Sequence, residues 1–181
     1  GINFINIPTT LLSMVDASVG GKTGINFGGL KNEIGVFNDS RYVILCTAFL
    51  KTLDDANLRS GYAEMLKHGL ISTPQLWDEL VTFDITRPCL SQLQRMVADS
   101  VAVKEHIVEV DPRENGIRKA LNLGHTMGHA FESWAMRKQQ PILHGYAVAY
   151  GLIPELYLAT MKTGFSVSVM REAVRYVREV Y

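Results

Sequence analysis

This sequence predicts a mainly α-helical fold preceded by a small α/β segment. Three observations carry that reading. After Leu53, apolar residues recur at helical spacing almost to the last residue. Before it, short alternating or β-branched runs are separated by Gly-rich text. Within the helical part, cap and breaker residues mark the joints, and no long linker appears. The resulting division is an α/β segment over 1–54 and an all-helical body over 55–181.

In order, residues 2–7 alternate as a strand does and stop at Pro8. Thr9 and Thr10 read as a cap for a short helix over 11–15. Residues 16–26 are small and Gly-rich, with Lys22 among them, and Gly28 and Gly29 open a second loop carrying Lys31 and Asn32. Both are read as loops. A Walker-type phosphate loop would need glycine where Asp16 stands, so that class is disfavoured; backbone amides beside a lysine can still hold an anion. Residues 41–46 are β-branched and aromatic, which suits a strand.

Asp54 or Asp55 caps a helix through Leu58, Tyr62, Met65, Leu66 and Leu70. Glu64 and Lys67, three apart, share a face; as a surface ion pair they would be worth little. His68, four after Glu64, is a rival metal ligand. Thr73-Pro74 caps and opens a short helix, and a long one follows over about 91–110 with Lys104 along it. Residues 111–116 form a turn, and a helix from about Ile117 runs to Gln139. The next, from His144, is apolar nearly all round and reads as buried. Ser166 or Ser168 begins the last helix. The chain starts at Gly1 in strand-like text and stops at Tyr181 in helical text, so both ends read as cut.

Composition excludes several classes. With 47% apolar and 20% charged residues, the chain is ordinary globular text. Eighteen basic residues balance 18 acidic ones, which makes no global case for nucleic acid or an anionic membrane. No apolar run reaches the length of a membrane span. The two cysteines, Cys46 and Cys89, are far apart and read as reduced, which suits a cytoplasmic protein.

The helix after Ile117 has the most chemical text. At about 100° per residue, Asn122, His125, His129 and Glu132 fall in one sector, opposite Leu123, Met127, Phe131 and Trp134. Two imidazoles at i and i+4 can share one metal ion, or they can be the polar face of an amphipathic helix.

Longer motifs point to a family. The text PTTLLSMVDASVGGKT at 8–23, KN at 31–32, LKTL at 50–53, SGYAEMLK at 60–67, LNLGHTMGHA at 121–130 and LHGYAVA at 143–149 resembles the 3-dehydroquinate synthases. Two departures stand out: Tyr146 where that family is expected to have Glu, and Pro112 in place of an acidic residue. The resemblance implies the end of an α/β NAD-binding domain followed by most of a helical metal- and substrate-binding domain. It implies a zinc (or cobalt) site made by Glu64, His125 and His144. It places Lys22, Asn32, Lys67, Lys104, Arg118, Asn122 and His129 toward substrate, and Thr9, Thr10, Asp16, Lys31, Asn32 and Thr52 on the NAD side. The implied substrate is 3-deoxy-D-arabino-heptulosonate 7-phosphate, whose two anionic groups ask for several cations. The implied reaction is transient oxidation by NAD, phosphate elimination, re-reduction, ring opening and an internal aldol closure to 3-dehydroquinate.

A homodimer is implied for the full-length protein, and this chain alone is expected to be inactive. The rivals are another sugar-phosphate cyclase, a metal-dependent polyol dehydrogenase on the same scaffold, or a non-catalytic helical piece.

Overall fold

The computed structural model describes residues 2–27 and 30–181, with the side chains of Asn26, Leu30, Lys31, Asn32 and Glu33 outside that description. Among the described residues, four short strands lie before Ile44. β1 (Ile5–Asn6) pairs in parallel with β4 (Tyr42–Val43), and β2 (Lys22–Phe27) pairs antiparallel with β3 (Leu30–Phe37). Strands were expected at both β1 and β4, and each is shorter than the text suggested. The β2–β3 pairing corrects the loop reading over 22–26 and 30–32, while the part of that reading on Gly28 and Gly29 lies outside the described residues. Lys22 opposes Phe37 and Ile25 opposes Ile34, so β-branched and aromatic residues outweigh the glycines between them.

Between β1 and β2 the chain turns through residues 11–12 into a wide helical turn, Ser13–Ala17. Thr10 and Ser13 exchange backbone and hydroxyl hydrogen bonds at its start. Leu11, Met14 and Val15 are buried there, while Asp16 faces the other way into a cavity. A tight 3-10 turn, Thr47–Thr52, leads into the helices.

The α-helices that follow are α1 (Asp55–Leu70), α2 (Pro74–Thr82), α3 (Leu90–Val110), α4 (His125–Arg137), α5 (His144–Thr163) and α6 (Val167–Val180). The caps settle the alternatives left by the sequence. Asp54 accepts from Asn57 N at 2.9 Å, Thr73 from Leu76 N at 3.3 Å with Pro74 next, and Ser166 from Val169 N. The core joins Leu11 and Met14 to Tyr62, Met65 and Leu66 of α1, Trp77 and Leu80 of α2, Leu93 and Met96 of α3, and Leu152 and Leu156 of α5. Trp77 Nε1 donates to Glu172 on α6 at 2.7 Å, and Tyr181 Oη donates to the Arg59 carbonyl at 2.9 Å. These bonds tie α6 back over α1 and α2.

The helix expected to run on from Ile117 is two pieces. Ile117–Asn122 is a 3-10 turn, and Gly124, at φ +82°, breaks the chain before α4 begins at His125. Asn122 therefore does not share a helical face with His125. The left-handed glycine is tolerated because no Cβ is present to clash. A Cβ on Gly151 of α5 would run into the Gly124 carbonyl, so α4 and α5 pack backbone to backbone there. Among the described residues no helix is long and apolar enough to cross a membrane.

Candidate metal and substrate site

Three helices bring one carboxylate and two imidazoles together. Glu64 sits in the buried middle of α1, His125 is the first residue of α4 and His144 the first of α5. One donor atom of each lies within 4.8 Å of the other two. Glu64 Oε1 is 3.5 Å from His125 Nε2 and 3.5 Å from His144 Nε2. Tetrahedral ligands at 2.0–2.1 Å from zinc are spaced about 3.4 Å apart, so these separations fit one ion with little rearrangement.

Polar groups around the trio prepare it. Glu64 is fully buried, and its Oε1 makes no conventional hydrogen bond, an orphan that a cation would satisfy. Its Oε2 accepts from Lys67 Nζ, and Lys67 is itself buried. The surface-pair reading of Glu64 and Lys67 is thus corrected: both charges are inside. Burial works to raise the Glu64 carboxyl, but the Lys67 ammonium outweighs it and holds the group well below the usual range. His125 is held below the ordinary imidazole value by burial and by Lys67, against the pull of Glu64. Its Nδ1 donates to the Leu123 carbonyl at 3.3 Å, which leaves Nε2 as the ligand atom.

His129, the alternative partner of His125, turns elsewhere. Its Nδ1 lies 2.8 Å from Glu132 Oε2, and Glu132 Oε1 lies 3.0 Å from His144 Nδ1. His129, Glu132 and His144 make a second group of suitable donor types. His68 is buried on α1, where its Nδ1 meets Ser100 Oγ of α3 at 2.7 Å, and it is in neither group. Burial, with Lys67 beside it, pushes the His68 imidazole down to about 3.

A cavity of about 580 Å³ opens beside the trio. Lys22, Lys67, Lys104, Arg118, Asn122 and His129 line it, as do His125, His144 and Asp16. Each cation is already engaged. Lys104 Nζ is 2.5 Å from Asp16 Oδ1, and burial lowers its pKa despite that partner. Asp16 is lowered in turn: burial and Glu64 raise it, but Lys104 and Lys67 win. Lys22 Nζ is 2.5 Å from Glu114 Oε2, and Asn122 Nδ2 donates to Glu114 Oε1 at 2.6 Å. The buried Arg118 guanidinium donates to the Pro112 carbonyl at 2.8 Å and the Gly20 carbonyl at 3.1 Å.

Of the residues assigned to the NAD side, Asp16 lines the cavity, whereas Thr9, Thr10 and Thr52 do not. Thr52 Oγ1 donates to the Phe49 carbonyl. The side chains of Lys31 and Asn32, on β3, fall outside the described residues. Tyr146 stacks edge-on against Tyr150 and Tyr181.

Sequence reasoning passed over several contributors. Glu114 holds two cavity residues, and Ser60 Oγ accepts from Gly145 N at 3.0 Å, tying α5 to α1 beside His144. In the sequence Glu132 reads only as a member of the polar face. Glu155, which accepts from the Gly124 amide at the start of α4, is the one acidic residue of α5, and that is the sequence signal for it.

Comparison with known proteins places the whole chain in a family. The family description 3-dehydroquinate synthase N-terminal matches residues 1–60, and 3-dehydroquinate synthase C-terminal matches residues 61–181. The 3-dehydroquinate synthase of Parabacteroides distasonis is 56% identical over 181 residues, 100% of this chain and 51% of that protein. That of Bacillus pumilus is 46% identical over 167 residues, 92% of this chain and 45% of that protein. The chain thus spans about half the length of the curated relatives it matches. A solved 2-deoxy-scyllo-inosose synthase superposes with TM-score 0.83 at 24% identity, covering 99% of this chain and 50% of that one. A 2-epi-5-epi-valiolone synthase from Streptomyces hygroscopicus with NAD+ and Zn2+ bound gives TM-score 0.73 at 24% identity, over 98% and 56%. The structural likeness establishes the fold, and with the match of both family descriptions the chain belongs to the 3-dehydroquinate synthase family.

Proposed function

We propose that the full-length protein carrying this chain is a 3-dehydroquinate synthase. It converts 3-deoxy-D-arabino-heptulosonate 7-phosphate to 3-dehydroquinate and inorganic phosphate, with catalytic NAD and a zinc (or cobalt) ion. The observation that carries the reading is the convergence of Glu64, His125 and His144 beside a cavity lined by four cations. The ion would be held by those three residues, and with NAD it supplies polarisation of substrate oxygens and a hydride acceptor.

Lys22, Lys67, Lys104 and Arg118 neutralise the substrate carboxylate and phosphate, and Asn32, Asn122 and His129 hydrogen-bond its hydroxyls. Lys104 is tied to Asp16, so an entering anion displaces or shares that carboxylate. Thr9, Thr10, Asp16, Lys31, Asn32 and Thr52 belong to the NAD side. On this reading residues 1–54 close an NAD-binding domain and 55–181 form the metal- and substrate-binding domain. The proposed setting is a cytoplasmic homodimer whose partner is the small sugar-acid phosphate.

Phosphate release from that substrate by the full-length protein tests the assignment. It should require NAD and a divalent ion, and Lys104→Ala should cut it about 100-fold while zinc content holds. Turnover of a different sugar phosphate alone would move the protein to another cyclase, and loss of zinc in Lys104→Ala would reject its substrate role.

A further inference from the structure

Glu132 stands between two site histidines. It lies on the second turn of α4, one helical turn beyond His129, and its side chain is partly buried. One oxygen meets His129 Nδ1 at 2.8 Å and the other meets His144 Nδ1 at 3.0 Å. The two rings stack with centroids 5.9 Å apart and planes inclined at 26°.

An ionised carboxylate only accepts hydrogen bonds. Each Nδ1 facing it must therefore carry a hydrogen, and in a neutral imidazole the lone pair is then on Nε2. For His144 that is the atom 3.5 Å from Glu64 Oε1. For His129 it is the remaining acceptor of a ring that lines the cavity.

We propose that Glu132 is a positioning residue that fixes the tautomers of His129 and His144 together, making one ring a metal ligand and the other a proton acceptor facing the cavity. The proposal rests on the zinc reading of His144 given above. Its physical content is that one side chain, touching neither metal nor substrate, couples the metal centre to the cavity wall. Carboxylates that orient metal-ligating histidines carry about 10–100-fold in metal affinity. Glu132 differs from such a partner in serving a second ring as well.

The test uses the metal-free 181-residue chain at pH 8, with imidazole nitrogen NMR to read each tautomer. The wild-type chain should show hydrogen on Nδ1 of both rings. In Glu132→Gln the carboxamide can accept from one ring but must donate to the other, so at least one ring should give up that form. Either ring carrying its hydrogen on Nε2 in the wild-type chain, or both tautomers surviving in Glu132→Gln, overturns the proposal. Chelator competition for zinc supplies the second arm. Glu132→Ala should weaken zinc about 10–100-fold with the circular dichroism of the helices unchanged; a dissociation constant within twofold of wild type overturns the metal half. A wild-type chain that binds no zinc would defeat the zinc reading itself, and the tautomer measurement would still decide the role of Glu132.

Discussion

Glu155 Oε2 accepts a hydrogen bond from the Gly124 amide at 2.7 Å, so a side chain inside α5 caps the start of α4. Its other oxygen takes the Met127 amide at 3.0 Å. Gly124 has no side chain to cap its own helix, and the helix end is satisfied from a neighbour instead. His125 is the next residue, so the cap also fixes a proposed ligand. Glu155→Ala should destabilise the chain by roughly 1–3 kcal/mol, the cost of stranding two half-buried amides. Thermal unfolding at constant pH checks this, with zinc affinity expected to fall in parallel; an unchanged melting temperature would make the cap dispensable.

The Glu64 carboxylate predicts that zinc stabilises the fold. Its Oε1 is buried without a hydrogen-bond partner, so a bound cation relieves a cost the metal-free chain carries. At a free zinc concentration 100 times the dissociation constant, unfolding should cost about 3 kcal/mol more. Glu64→Ala, His125→Ala and His144→Ala should each abolish that increment. Equal melting temperatures with zinc and with chelator in the parent chain would contradict it.

Acid should weaken the fold through His68. The imidazole is buried and pushed down to about 3, while an unfolded histidine titrates near its ordinary value. Below roughly pH 6.5 the unfolded chain binds a proton that the folded chain refuses. Stability is therefore full above that pH and falls as pH drops toward about 3, by about 1.4 kcal/mol per unit at most. His68→Gln can keep the bond to Ser100 and should flatten the dependence between pH 6.5 and 4.5. Denaturant unfolding at several pH values measures it, and an unaltered slope would assign the acid sensitivity elsewhere.

Close approach of α4 and α5 gives a fourth expectation. A Cβ at Gly151 would collide with the Gly124 carbonyl and come within 2.7 Å of Gly128 N, and backbone cannot swing aside as a side chain can. Gly151→Ala should cost about 1–3 kcal/mol and also loosen zinc, because the two histidine-bearing helices are pushed apart. Zinc affinity unchanged beside a lowered melting temperature would show that the ligands ride out the shift.

Much of this was legible in the sequence because the signals were local. Asp54, Thr73 and Ser166 are caps with nearby apolar periodicity, and helices begin where they stand. The family motifs named Glu64, His125 and His144, and these meet although remote in the chain. What escaped was set by tertiary contact. Residues 22–26 and 30–32 read as loop because glycines dominate the surrounding text, yet cross-strand pairs such as Ile25 and Ile34 set β2 against β3. A single periodicity through 117–139 hid the break at Gly124, because helical spacing on both sides masks one left-handed residue. Glu64 and Lys67 looked like surface text at i and i+3, and only the packing of neighbouring elements around α1 buries them.

The Glu64–Lys67 pair has an electrostatic consequence. With that ammonium buried against the carboxylate and the imidazoles neutral, the donors plus Lys67 sum to no net charge. A divalent ion bound there would leave the site as a whole with a net double positive charge, because Lys67 already balances the one anionic ligand. Anions in the cavity would then feel it strongly, and reciprocity requires that they hold the ion as much more tightly as the ion holds them.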